Sequence, residues 1–127
     1  MNGTGLASPP TIVLVDDDDA VRGAVTFALE THGYQVRAFA QAQDLPPIRD
    51  LAAAACLIID QLLPGETGLD LLARLRDLGL KSPAILITTS PPPAMQEAAG
   101  QLGTVVVEKP LLGDRLFAVV DRLLADR

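Results

Sequence analysis

Cysteine occurs once in the 127 residues, at Cys56. A lone cysteine closes no intrachain disulfide and has no partner at metal-ligand spacing. This excludes a disulfide framework, a structural zinc site and a CxxC redox centre, and it suits a reducing cytoplasmic location. Basic residues are also few: 10 Lys and Arg stand against 16 Asp and Glu, for a net charge of -6. No basic patch is available to neutralise phosphates, so direct nucleic-acid binding is not expected. Long apolar runs are missing as well. The longest, Leu51 to Ile59, stops at Asp60, far short of the roughly 20 residues that a membrane span requires. The opening MNGTGLASPP has neither the basic start nor the apolar stretch of a signal peptide. It reads as a disordered leader over residues 1–10, followed by one domain over residues 11–127.

What the chain does have is alternation. The β-branched runs TIVLVD, YQVRAF, CLIID, AILIT and TVVVEK are separated by stretches with a period near 3.6. The first helical stretch puts Val21, Val25, Ala28 and Leu29 on one face and ends at His32-Gly33. The third repeats the stripe with Leu71, Leu72, Leu75 and Leu78, and the fifth with Leu116, Val119, Val120, Leu123 and Leu124. Pro46-Pro47 in the second connection, and Pro91-Pro92-Pro93 with Gly100 in the fourth, predict short or irregular helices there. Five strands alternating with helices imply a parallel sheet covered on both faces by right-handed crossovers. Strand two alternates Gln35 and Arg37 with Val36 and Ala38, the pattern of an edge. The expected fold is therefore α/β: a flavodoxin-like (βα)5 doubly wound sheet of strand order 2-1-3-4-5. Its switch point lies between strands 1 and 3, and ligands bind outside the carboxyl ends of the strands there.

Strand 1 ends in Asp16-Asp17, followed by Asp18 and Asp19, and strand 3 ends in Asp60. The topology, obtained without these residues, brings Asp16, Asp17 and Asp60 to one rim. Crowded carboxylates raise one another's pKa, and a hard divalent cation relieves them; magnesium fits best. Asp18 and Asp19 read instead as a solvated loop and helix N-cap. Thr88 closes strand 4 with a hydroxyl and Lys109 closes strand 5 with a cation. An aspartate can attack phosphorus if metal and cation neutralise the phosphoryl oxygens. Asp60 is then the nucleophile, with Lys109 and Thr88 contacting the oxygens. Read singly, Lys109 also fits a salt bridge that offsets the acids, and Thr88 a satisfied strand-end hydroxyl. Lys109 precedes Pro110, and a cis bond there would aim the lysine inward; the isomer stays open.

From Thr11 to about Leu124 the chain resembles the receiver domains of bacterial two-component response regulators. The motifs are VDDDDAVR at Val15 to Arg22, DQLLPGETG at Asp60 to Gly68, the strand end at Thr88, and EKP at Glu108 to Pro110. The resemblance implies that Asp16 and Asp17 hold magnesium together with Asp60 and the backbone carbonyl of Leu62. It makes Asp60 the phosphoacceptor and Thr88 and Lys109 switch residues, with Val106 and Pro110 at further switch positions. It also implies a histidine kinase or histidine phosphotransfer protein as donor, a downstream effector protein or domain as recipient, and a homodimer through helix 4, strand 5 and helix 5. The domain would be a signalling phosphoacceptor catalysing only its own phosphorylation and dephosphorylation, not an enzyme acting on other substrates.

Three positions depart from the family pattern. Val106 stands where Tyr or Phe is usual, so an inward-turning ring cannot couple to Thr88. Thr89 replaces a smaller residue, which predicts slow phosphorylation. Leu62 replaces a common polar side chain, which predicts restricted water access and a long-lived aspartyl-phosphate. His32, near the last carbonyls of helix 1, is assigned to structure, and Cys56 to the core. The alternative is a pseudo-receiver, a binding module working without phosphorylation, against which the intact acid, threonine and lysine set argues. A magnesium phosphohydrolase would carry an acid at Leu62, and a nucleotide or flavin binder would need a phosphate-cradling loop where this chain has aspartates.

Overall fold

The computed structural model describes residues 9–109, 111 and 114–125, and five strands and five helices alternate through them. The strands are β1 (Thr11–Val15), β2 (Gln35–Phe39), β3 (Cys56–Asp60), β4 (Ala84–Thr88) and β5 (Thr104–Glu108). All pair in parallel in the order β2-β1-β3-β4-β5. The helices are α1 (Asp19–Thr31), α2 (Ile48–Leu51), α3 (Gly68–Asp77), α4 (Pro93–Gln101) and α5 (Arg115–Ala125). The expected fold and strand order are those observed. None of the helices in the described residues is long and apolar enough to cross a membrane.

β3 and β4 are buried along their whole length, whereas β2 keeps Gln35, Arg37 and Ala38 exposed. Central strands of a doubly wound sheet lose both faces to helices, and edge strands do not. The sheet separates two cores. Ile12, Leu14, Ile58, Ile85 and Val107 pack beneath α1 and α5 with Val25, Leu29, Leu116, Val119 and Val120. Val13, Val15, Leu57, Ile59 and Leu86 face Leu71, Leu72 and Leu75 of α3. Cys56 is fully buried in the first core, and burial pushes its thiol up to about 12.

Two of the helical expectations are corrected by the structure and one holds. Leu78 does not belong to the buried stripe of α3: it caps the helix and is 60% exposed, and Leu80 past Gly79 fills the core instead. A left-handed Gly79 (φ 97) turns the chain back there. α2 is a single turn after a 3-10 turn at Ala42–Asp44, as Pro46-Pro47 predicts. α4 instead runs regularly for 9 residues, because Pro93 occupies its first turn, where a missing N–H costs no hydrogen bond. At the end of α1, His32 stacks on Phe117 at 4.9 Å between ring centroids, and its Nε2 lies 3.4 Å from Asp121 Oδ2. The Tyr34 hydroxyl donates to the other Asp121 oxygen. These contacts tie α5 to the corner between α1 and β2.

Candidate functional site

The carboxyl ends of β1 and β3 lie side by side, with Val15 paired to Ile59. The next residues in chain order, Asp16 and Asp60, therefore emerge together at the switch point. One carboxylate oxygen each from Asp16, Asp17 and Asp60 lies within 4.8 Å of the others. Asp16 and Asp60 are buried and Asp17 is exposed. Asp18 caps α1 by accepting from the Val21 N–H at 3.0 Å. Asp19, in the first turn, pairs with Arg22. The aspartate run thus divides as expected, two residues for the rim and two for the helix start.

Asp16 is held by its neighbours. Its Oδ1 accepts from the Asp18 N–H at 2.9 Å, and its carbonyl accepts from Arg22 Nη1 at 2.8 Å. Its Oδ2 is buried and has no hydrogen-bond partner among the described residues. Burial raises the Asp16 pKa above its ordinary value. The Asp18 N–H opposes that rise, Asp60 adds to it, Lys109 opposes it and Asp17 adds to it. Asp60 receives two donors: Lys109 Nζ lies 3.0 Å from its Oδ2 and the Leu62 N–H 3.2 Å from its Oδ1.

Lys109 reaches Asp60 because the β4–β5 ladder extends one step past the strands, its N–H donating to the Thr88 carbonyl at 2.7 Å. Thr88 is buried at the end of β4, opposite Glu108. Leu62 follows β3 with its side chain 72% exposed, and it forms an isolated backbone bridge with Thr67. Val106 is half-buried and packs with the core beneath α3 and α4. Pro110, and with it the geometry of the Lys109-Pro110 bond, lies outside the described residues.

Three supporting residues carried no individual role in the sequence reading. Arg22 pins the Asp16 backbone. Gln61 accepts at both of its oxygens, from the Gly68 N–H at its carbonyl and the Leu69 N–H at Oε1, each at 2.9 Å. Gly68 starts α3 so close to β3 that a Cβ there would sit 2.3 Å from the Asp60 carbonyl oxygen. Glycine in DQLLPGETG was the available signal, but only the packing of α3 on β3 shows what it must avoid.

An orphaned carboxylate oxygen amid three acids suits a hard divalent cation, which takes carboxylate, carbonyl and water oxygens. A buried acid, a neighbouring cation and an adjacent acid pair at a flavodoxin-like switch point narrow the families that fit. The sequence profile of the response regulator receiver domain matches residues 12–121. The chain belongs to that family. The receiver is 31% identical over 111 residues to the transcriptional regulatory protein FixJ of Bradyrhizobium diazoefficiens, across 87% of this chain and 54% of that protein. It is 32% identical over 112 residues to the C4-dicarboxylate transport transcriptional regulatory protein DctD of Rhizobium meliloti, across 87% of this chain and 24% of that protein. The chain thus spans about half of FixJ and a quarter of DctD. Its fold matches a CheY-like response regulator receiver domain protein from Methanospirillum hungatei with a TM-score of 0.80 at 24% identity, covering 94% of this chain and 96% of that one.

Proposed function

We propose that this receiver accepts a phosphoryl group on Asp60 from a histidine kinase or histidine phosphotransfer protein, in a magnesium-dependent reaction, and so switches a surface bound by a downstream effector protein or domain. The observation that carries this reading is the buried Asp60 carboxylate, paired with Lys109 on one side and crowded by Asp16 and Asp17 on the other. Asp16, Asp17, Asp60 and the Leu62 carbonyl would hold the magnesium. When bound, the ion neutralises charge on the phosphoryl oxygens.

The residues of the chain supply the rest. An Asp60 oxygen attacks phosphorus while the bond from phosphorus to the donor's imidazole nitrogen breaks, leaving an aspartyl-phosphate and a histidine. Lys109 follows the charge from carboxylate to phosphoryl oxygen, and Thr88 donates its hydroxyl to a second oxygen. The transfer replaces a singly charged carboxylate with an acyl phosphate carrying about 1.5 to 2 negative charges, a net gain of up to about one charge on a rim already crowded with acids. The protein acts in this reading as a cytoplasmic signalling phosphoacceptor, not as an enzyme on other substrates, and it associates as a homodimer through α4, β5 and α5. The pseudo-receiver reading is disfavoured, since a binding module has no use for a buried acid pair with an unpartnered oxygen.

Intact-mass analysis after incubation with magnesium and a small-molecule phosphodonor tests the proposal. The expected result is a single acyl-phosphate-labile adduct that requires magnesium and is absent from Asp60→Asn. No adduct in the wild-type protein, despite measurable magnesium binding, would refute it.

A further inference from the structure

The chain around Asp16 fixes all but one of its polar groups. The Asp16 N–H donates to the Phe39 carbonyl at 3.0 Å, Oδ1 accepts from the Asp18 N–H at 2.9 Å, and the carbonyl accepts from Arg22 Nη1 at 2.8 Å. Only Oδ2 is left without a partner among the described residues. The first two bonds use backbone partners that the sheet and the turn already place. The third is made by a side chain, so a substitution can remove it without touching the strand or the helix cap.

The position of that third bond matters. The peptide plane that carries the Asp16 carbonyl also carries the Asp17 N–H, so Arg22 fixes the link between the two acids. Asp17 is exposed, and its carboxylate takes its direction from the backbone that bears it. Arg22 is itself held at two further points. Its Nη2 pairs with Asp19 Oδ1 at 2.5 Å, and its backbone N–H donates to the Asp18 carbonyl at 2.8 Å in the first turn of α1. The planar guanidinium is therefore oriented by the chain alone.

A guanidinium beside a cation site also has a cost. Its charge repels a divalent ion, so through electrostatics alone its loss would tighten metal binding. Through orientation its loss would weaken binding, and unequally for different ions. Magnesium demands near-ideal octahedral geometry, whereas calcium accepts more oxygens in flexible arrangements.

We propose that Arg22 is a positioning residue: by fixing the Asp16–Asp17 peptide it holds the two carboxylates in one mutual orientation and makes the rim selective for magnesium over calcium. This rests on the magnesium-dependent phosphoacceptor reading and names the residue that sets its ion specificity. Groups that orient metal ligands are worth about 10–100-fold in affinity. The lower end applies here, because Arg22 acts on a backbone carbonyl and its charge opposes the ion.

Amide chemical shifts of the full chain, titrated separately with magnesium and with calcium, give both affinities, and melts in chelator report folding independently. The wild-type protein is expected to prefer magnesium. In Arg22→Met the magnesium affinity should fall about tenfold and the calcium affinity by less than about threefold. Arg22→Lys keeps the charge but not the fork, and should show the same ranking with smaller losses. Unchanged or tighter magnesium binding in Arg22→Met would overturn the proposal, and so would equal losses for the two ions; either result leaves the phosphoacceptor reading intact. If Arg22→Met does not fold, Arg22→Lys decides, and a magnesium-to-calcium ratio equal to that of the wild-type protein overturns the proposal. No magnesium-dependent shift at Asp16, Asp17 or Asp60 in the wild-type protein would overturn the proposal together with the reading beneath it.

Discussion

Asp16→Asn should make the metal-free protein more stable while abolishing its response to magnesium. The wild-type carboxylate is buried, has one orphaned oxygen, and shares a space 4.8 Å across with two other carboxylates. At that separation and an effective dielectric of about 20, one like-charge pair costs about 3.5 kcal/mol. The exposure of Asp17 and the Lys109 ammonium on Asp60 cancel much of this. The asparagine keeps the acceptor for the Asp18 N–H and turns a repelled oxygen into a donor toward the remaining acids. A net gain of about 1–2 kcal/mol follows, or about 4–8 °C in Tm. The pH dependence has a fixed sign. The folded-state pKa of Asp16 lies above its ordinary 3.8, so the ionised group penalises the fold fully above the folded pKa. The penalty disappears as pH falls below the unfolded value. The advantage of Asp16→Asn should therefore shrink on acidification. Thermal melts over a pH series, with and without magnesium, provide the assay. A variant less stable than the wild-type protein in chelator at neutral pH would refute the reasoning.

Four further outcomes follow from the same geometry. Gly68→Ala should destabilise the protein by about 1–3 kcal/mol in urea unfolding, because α3 must move off the Asp60 carbonyl. Lys109→Met leaves buried Asp60 without its cation and should cost about 1–2 kcal/mol, less than a fully buried pair because the lysine is partly exposed; urea unfolding in chelator measures it. Tyr34, the only tyrosine, has its pKa pushed up to about 12 by burial and by Asp121. The unfolded phenol ionises first, so stability should fall as pH rises from about 10 to about 12. Tyr34→Phe should remove that loss in alkaline melts, and phenolate absorbance should report the titration directly. Leu62→Asn replaces an exposed apolar side chain beside Asp60 with a group that can orient water. Loss of the aspartyl-phosphate should quicken about tenfold, the effect of roughly one well-placed hydrogen bond, as followed by intact mass.

The strand pattern, the order 2-1-3-4-5 and the meeting of Asp16 with Asp60 were all legible in the sequence. Strand period and apolar content depend on local burial, and right-handed crossovers leave few ways to assemble five alternating units. The division of the aspartate run was legible for the same reason, since an N-cap is a local hydrogen bond between residues three apart. Other features depend on residues that lie far apart in the chain and meet only after folding. Leu78 has the spacing of a core residue, yet the turn at Gly79 gives its place to Leu80. The three prolines read as helix breakers, yet their position before the first turn makes them a lead-in to α4. Gly68 is one glycine among ten until α3 lies against the Asp60 carbonyl. His32 reads as a helix end until α5 delivers Phe117 and Asp121 to it. Periodicity encodes which face of an element is buried, and that much the sequence determined by itself. Which side chain fills a given space, and which backbone must be avoided, was decided by the tertiary structure, because close packing is a property of two surfaces in contact.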